Sequence, residues 1–501
     1  MDALPLSACW TLPDHVDQAA RRWPETEALV WPDECLTFAE FAARTRAFAH
    51  ALLERGVGAG DKVGILMPNT PGMLVAIYGT TRLGAVPVPI NGRFKEREVA
   101  YVSEHAEIRL LVTEELSAHG DDAVLRTLQE QIAVRDPAMV MYTSGTTSNP
   151  KGCLISHESL VRTGRIFGEQ RFPMRQGDRM WDPLPIFHLA SILPFNGCLA
   201  TGATYVGLEH FEPGAALRML AQCTVAFAAF DLIWAAILDH PDFAATDLSA
   251  LRLVNVNGVP ERLTLMAAKA PWLTQISPYG GTEGGGVLAL SHLGDPLEYR
   301  VGSAGRPFAG MEVRIADPET GEALPPGKRG EITYRGPGLF DGYFKDPEQT
   351  AAAFDADGFF HSGDLGVLDA DGRLSFIGRL KDMLKVGGEN VAAAEIEGLI
   401  AEHPAIAEVQ VVGAPDERYQ EVPCAFVMLR PGATLELDEL VELLYGRVAT
   451  YKIPRYLRVV DEWPMSGTKI QKFRLRERIA QELADAGIRS APKITAARIA
   501  Q

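Results

Sequence analysis

The sequence predicts an α/β protein: a large N-terminal domain of layered sheets and helices with a small β-barrel region, then a smaller α+β lid at the C-terminus. Three observations predict it. Short apolar runs alternate with stretches of helical periodicity as far as about Ser375. From Asp317 glycine and proline punctuate short β-like pieces, and after Arg379 a separate unit with its own helices and strands begins. The boundaries expected are 1–378 for the large domain and 379–501 for the small one, and 501 residues suit about three compact units.

The elements follow in chain order. Phe38 to Leu53 carries apolar side chains at helical spacing, whereas Lys62–Met67, Ala138–Tyr142 and Leu251–Val256 are short enough for strands. Alternating strands and helices predict a layered body holding two sheets. The pieces GKRGEITYRGPG and DGRLSFIGR predict the small barrel or an antiparallel region. In the C-terminal unit, Ala392–His403 places Ile396, Leu399 and Ile400 on one helical face. Strands Glu408–Val412 and Cys424–Leu429 come next, followed by helix Asp438–Val448 with Leu440, Leu443, Leu444 and Val448 on one stripe.

Composition excludes several classes. With 47% apolar and 23% charged residues the chain matches soluble globular proteins, and 47 glycines with 33 prolines imply many turns without low complexity. A net charge of −17 repels phosphate backbones and disfavours a nucleic-acid partner, though a local basic patch can still hold a small anion. No apolar run reaches the ~18 residues of a membrane span. Met1–Asp14 lacks the basic start of a signal peptide, so the expected compartment is the cytoplasm. The six scattered cysteines (Cys9, Cys35, Cys153, Cys198, Cys223, Cys424) read as buried small hydrophobes, and no Cys/His cluster suits zinc. Quaternary state stays open, a homodimer included.

The sharpest local signal is Tyr142-Thr-Ser-Gly-Thr-Thr-Ser-Asn-Pro-Lys-Gly152, set between a strand and a helix start at Ser156. Hydroxyls and exposed backbone N–H groups in such a loop form an anion nest, to which Lys151 adds a point charge. Pro150 stands where a Walker A loop needs its second glycine, so this is not that loop; an ordinary polar loop is the plain alternative.

The loop resembles the phosphate loop of the adenylate-forming superfamily: acyl-CoA synthetases, peptide-synthetase adenylation domains and firefly luciferase. The resemblance continues in order through Leu184-Pro-Ile-Phe-His188, Asn257-Gly-Val-Pro260, Tyr279-Gly-Gly-Thr-Glu283 and His361-Ser-Gly-Asp-Leu-Gly366. Gly378-Arg-Leu-Lys-Asp382, Gly387-Gly-Glu-Asn-Val391 and Ser466-Gly-Thr-Lys-Ile470 complete it, and the likeness spans Leu36 to Arg476. It implies an ATP-dependent acid–thiol ligase that makes acyl-AMP and pyrophosphate, then passes the acyl group to coenzyme A.

That chemistry builds charge on phosphate oxygens, so it needs fixed donors and cations. By resemblance Thr143, Ser144, Gly145, Thr146, Thr147 and Lys151 cradle the leaving phosphates, Thr282 bonds the α-phosphate, and Glu283 binds Mg²⁺. Tyr279, with Gly280, stacks on adenine beside the backbone of Gly258, Val259 and Pro260. Asp364 accepts both ribose hydroxyls with Arg379 as its companion, though a turn aspartate is the plain reading of Ser-Gly-Asp alone. Lys469 bridges the incoming carboxylate and the α-phosphate, where an isolated lysine would read as surface. Lys381 is the hinge residue, Lys385 is a further cofactor-binding residue, and Gly387, Gly388 and Glu389 line the pantetheine tunnel.

His188 stands where peptide-synthetase domains carry an aspartate for the amino group, which argues against an α-amino acid. Phe230, Asp231 and Trp234 are candidate walls of the acyl pocket, with core or cap as their plain roles, and Gly281 and Gly284–Gly286 free space opposite. A medium-length, cyclic or aryl acid is expected. Eight basic residues between Lys452 and Arg478 face three acidic ones; they steer the coenzyme A phosphate or form a solvated face. Ser148 and Ala394 depart from the usual glycine and proline without removing a chemical group. Two further readings stay open: loading of a carrier-protein arm, and a non-catalytic nucleotide-binding relative.

Overall fold

In this computed structural model residues 11–143, 150–466, 469–492 and 494 are described; for Asn390, Ser466 and Lys469 the description covers the backbone alone. A seven-stranded sheet runs through the large domain in the order Thr274–Ile276, Leu253–Asn257, Val225–Phe230, Arg179–Trp181, Thr204–Val206, Glu27–Val30, Cys35–Thr37. All neighbours are parallel except the last pair. Parallel strands are covered on both faces, and here each face feeds its own core. Val225, Phe227 and Ala229 enter one apolar cluster, and Ala226 and Ala228 enter the other.

The helices that cover the sheet start where the sequence offers a cap. Thr37 accepts a hydrogen bond from the Glu40 N–H while the Glu40 carboxylate accepts the Thr37 N–H at 2.8 Å, opening helix Phe38–Glu54. Phe41, Phe48 and Leu52 on its inner face are fully buried. Ser156 caps helix His157–Arg165, which sets the direction of the chain leaving the hairpin Pro137–Thr143/Lys151–Ser156.

The body holds more than the two expected sheets. A parallel trio (Val86–Pro89, Lys62–Ile65, Ile108–Val112) and an antiparallel trio (Gly342–Tyr343, Lys151–Ser156, Pro137–Thr143) form further layers. The β-rich stretch is an antiparallel sheet of Glu312–Ala316, Arg329–Arg335, Phe360–Leu368 and Leu374–Arg379. It joins strand Arg306–Pro307 and its neighbours through the Leu374 N–H to Gly305 carbonyl bond, 2.8 Å.

Beyond Arg379 the core is separate. Leu384, Ile396, Val411, Val427 and Leu440 form one cluster, and Val412, Phe426 and Ile479 form another against helix Lys472–Asp485. Helix Ala393–Ile400 ends three residues before the expected His403, and helix Leu437–Leu444 stops before Val448. This small domain rests on the large one at helix Pro260–Lys269: a Cβ on Gly398 would lie 3.0 Å from Glu261 Oε2. Among the described residues no helix is long and apolar enough to cross a membrane.

Two expectations need correction. Cys35 is exposed, at an edge strand where its thiol donates to Glu27 Oε1 at 3.4 Å, while the other four described cysteines are buried; Cys9 lies outside the described residues. Half of the eight basic residues in the C-terminal stretch are paired within their own domain. Lys452 pairs with Glu395, Lys472 with Glu397 at 2.6 Å, and Arg458 and Arg478 with Glu482 at 2.6 and 2.8 Å.

Candidate active site

A cavity of about 320 Å³ opens at the carboxyl ends of the strands, where an α/β sheet leaves space for a ligand. Phe230 and Asn257 end adjacent strands, face each other in register and line it. Thr143 and Tyr279, also strand-terminal, join them with Gly280, Thr282, His188, Asp364 and Arg379.

Asp364 is the best-built group. Its strand runs antiparallel to Leu374–Arg379 with Asp364 opposite Arg379, so pairing alone brings the two side chains together; Arg379 Nε lies 2.8 Å from Asp364 Oδ1. The Tyr279 hydroxyl donates to Oδ2 at 2.7 Å. Burial and the facing carboxylate push the Tyr279 phenol well above its usual value, so it stays a donor. Glu331 holds the approach to Asp364, accepting the Gly363 N–H at 2.9 Å and meeting His361 Nδ1 at 2.7 Å. Gly363 turns there at φ +69°, a region that favours glycine. The Tyr279 ring stacks on Phe376, with centroids 6.0 Å apart and planes at 28°.

The Tyr279-Gly-Gly-Thr-Glu283 turn is fixed by close backbone approach. A Cβ on Gly280 would come within 2.1 Å of the Gly286 carbonyl oxygen, and one on Gly285 within 2.3 Å of that of Gly338. Gly284 and Gly285 are therefore packing glycines, whereas Gly281 and Gly286 line the cavity. Behind Thr282, Glu283 Oε1 accepts the Tyr343 hydroxyl at 3.2 Å, and Lys151 Nζ sits 4.9 Å from the centre of that tyrosine ring. Glu283 carries no ion pair among the described residues, so one carboxylate oxygen stays available beside the cavity: a fit for Mg²⁺, which takes most of its ligands from phosphates and water.

His188 and Phe187 sit at the end of a clamped loop. The Leu184 N–H donates to Asp182 Oδ1 at 2.8 Å, the Tyr205 hydroxyl to Oδ2 at 3.0 Å, and the Ile186 N–H to Asn69 Oδ1 at 2.7 Å. Complete burial pushes the Asp182 carboxyl up to about 8. Asn69, Asp182, Glu331, Tyr343 and Phe376 went unnoticed in the sequence because none belongs to a motif. The one available signal was Asp182 itself, an acid at the end of an apolar strand.

Other expected residues stand elsewhere. Gly258, Val259 and Pro260 lead into helix Pro260–Lys269, and Gly258 is crowded by Asp231, whose Oδ2 pairs with Arg262 Nε at 3.4 Å. Trp234 is no pocket wall: it is 1% exposed in the core on the other face of the sheet, because helix Asp231–Leu238 folds back over that face. Lys381 lies in the short turn Leu380–Asp382 between the domains. Lys385, Gly387, Gly388 and Glu389 form a hairpin of the small domain, anchored by the Gly387 N–H to Tyr419 carbonyl bond, 2.8 Å. Ser144, Gly145, Thr146 and Thr147 lie outside the described residues, as does the Lys469 side chain; the Lys469 backbone pairs with Ser466.

Residues 16–344 match the family described as AMP-binding enzyme, and residues 395–469 match the AMP-binding enzyme C-terminal domain. The chain belongs to this family of adenylate-forming ligases. It is 34% identical to a feruloyl-CoA synthase of an Amycolatopsis species, over 92% of this chain and 97% of that one. It is 31% identical to the putative acyl-CoA synthetase YngI of Bacillus subtilis, over 92% and 96%. Among solved structures, the anthranilate CoA ligase AuaEII in complex with anthranoyl-AMP superposes with a TM-score of 0.85 at 26% identity, covering 96% of this chain and 99% of that one. ATP-bound MatB from Rhodopseudomonas palustris gives 0.84 at 26%, covering 94% and 99%. With these relatives, the fold and the site make the chain an AMP-forming acyl-CoA synthetase that works through an acyl-adenylate.

Proposed function

We propose that the cavity activates a medium-length, cyclic or aryl monocarboxylic acid and that coenzyme A is the acceptor thiol. The observation that carries this reading is the Tyr279–Asp364–Arg379 cluster in a cavity that is also lined by the apolar Leu184, Phe187, Leu189 and Phe230. Polar groups suit a nucleotide and apolar walls an acyl chain. Relatives named for feruloyl-CoA and indoleacetate–CoA formation support an aryl acid.

Asp364 accepts the two ribose hydroxyls, its own geometry fixed by Tyr279 and Arg379 before the nucleotide arrives. Thr282 donates to the α-phosphate and Lys151, with Thr143 and the loop Ser144–Thr147, meets the leaving phosphates. Glu283 would hold Mg²⁺, which when bound offsets phosphate charge. The acid's carboxylate oxygen attacks the α-phosphorus and pyrophosphate leaves, with Lys469 bridging the two anions. After the small domain turns at Lys381, the coenzyme A thiol attacks the acyl carbon along Gly387–Glu389, and AMP leaves. The free thiols of the described cysteines support a reducing, cytoplasmic setting.

Pyrophosphate release across a carboxylic-acid panel, with and without coenzyme A, tests the reading. Acid-dependent release with thioester formed is expected. Adenylate that never passes to coenzyme A would point to a carrier-protein arm, and silence with ATP still bound would overturn the proposed acid class.

A further inference from the structure

One tyrosine touches both Lys151 and Glu283. Tyr343 lies on the short strand Gly342–Tyr343, which pairs antiparallel with Lys151–Ser156 and places Tyr343 opposite Cys153. Side chains two apart on a strand share a face with the cross-strand partner, so Lys151 and Tyr343 meet: Nζ lies 4.9 Å from the centre of the ring. The Tyr343 hydroxyl donates to Glu283 Oε1 at 3.2 Å. Glu283 Oε2 lies on the other side, 3.8 Å from where a Cβ on the cavity-lining Gly281 would stand. The backbone around Tyr343 is stitched to both groups it touches. The Phe340 N–H donates to the Glu283 carbonyl at 2.9 Å, and the Asp341 and Phe344 N–H groups to the Leu154 and Gly152 carbonyls at 2.8 and 2.7 Å. The Tyr343 N–H donates to the Thr350 hydroxyl at 2.9 Å, and Phe340 packs edge-on against the ring, centroids 4.9 Å apart and planes at 68°.

We propose that Tyr343 is a positioning residue for MgATP: its hydroxyl holds Glu283 with Oε2 presented to the metal ion, and its ring holds the Lys151 ammonium toward the same triphosphate. The proposal rests on the ligase reading and deepens it. Tyr343 itself lies behind the cavity wall rather than in it, so it acts through its two neighbours. A glutamate side chain left to rotate loses conformational freedom when it takes a metal ion, and a group fixed beforehand avoids that cost. The hydroxyl also leaves the ligand its share of the carboxylate, because it occupies Oε1 and not Oε2. An ammonium over an aromatic face is attracted by the ring while its N–H groups stay free for phosphate oxygens. The two halves of the tyrosine therefore serve different partners, the oxygen the metal-binding carboxylate and the ring the cation.

Titration calorimetry on the full chain, with MgATP, with ATP in EDTA and with AMP, tests it. Tyr343→Phe keeps the ring and deletes the hydroxyl: MgATP should bind about tenfold more weakly, with metal-free ATP and AMP within about twofold of the wild type. Tyr343→Leu deletes the ring as well, so metal-free ATP should also weaken, by about threefold, while AMP, which lacks the leaving phosphates, should not. The phenylalanine variant decides alone if the leucine variant does not fold. In a Glu283→Gln background Tyr343→Phe should add less than about twofold, because the hydroxyl acts through that carboxylate. An unchanged MgATP affinity in Tyr343→Phe, an equal loss for MgATP, metal-free ATP and AMP, or full additivity with Glu283→Gln overturns the proposal and leaves the ligase reading standing. A wild-type chain that binds neither MgATP nor AMP overturns both.

Discussion

Tyr279→Phe removes one hydroxyl and leaves the rest of the site in place. The lost group donates at 2.7 Å to Asp364 Oδ2, and both residues are buried, 7% and 6% exposed. A hydrogen bond to a charged acceptor contributes about 1.5–3 kcal/mol. Arg379 still holds Oδ1 at 2.8 Å, and its side chain is 45% exposed and screened, so the lower value of about 1.5 kcal/mol applies. That corresponds to roughly tenfold in an equilibrium constant. With Asp364 on the ribose, as proposed, and the ribose taking no part in bond making, the loss weakens ground state and transition state alike. The KM for ATP should therefore rise about tenfold with kcat little changed, read from pyrophosphate release at saturating acid. The phenylalanine ring keeps its stack on Phe376, so the melting temperature should fall by no more than the few degrees that one lost buried hydrogen bond accounts for. An unchanged KM for ATP, or a fall in kcat at constant KM, would refute the role given to this pair.

The carboxyl of Asp182 sits at about 8 in the folded chain, above its unfolded value near 4, so its contribution to stability is complete below about pH 4 and is lost as pH rises through 8. Asp182→Asn should consequently come closest to the wild type in melting temperature near pH 4 and exceed it progressively up to about pH 8; a constant offset across that range would contradict the assignment. Gly280→Ala drives a Cβ against the Gly286 carbonyl at 2.1 Å and the Val287 Cα at 2.7 Å, both backbone, and should lower both melting temperature and ATP affinity, checked by calorimetry. Lys381→Pro should trap the small domain in one orientation and abolish at least one half-reaction; full overall activity would remove the turning step.

Much of the site was legible because its chemistry sits in contiguous motifs. Tyr279, Thr282, Asp364 and Arg379 occupy short unmistakable strings, and strand pairing then brings Asp364 opposite Arg379. The supports were not legible, because they act across long separations: Glu331 lies 30 residues before His361, and Asn69 lies 117 before Ile186. The ion pairs of the basic stretch were hidden for the same reason. The acids that neutralise Lys452, Lys472 and Arg458 are Glu395, Glu397 and Glu482, all outside the window in which the charges were counted. Trp234 stood one helical turn from Phe230, but the chain passes from strand to helix at Asp231, and that turn sends the indole to the opposite face of the sheet.

The central claim is that a carboxylate oxygen bonds to the α-phosphorus of ATP. A substrate acid carrying ¹⁸O in both carboxylate positions, turned over with ATP and coenzyme A, tests it by mass spectrometry of the nucleotide product. One ¹⁸O should appear in AMP and none in pyrophosphate. Unlabelled AMP alongside thioester, or label in a phosphate product, would contradict an acyl-adenylate.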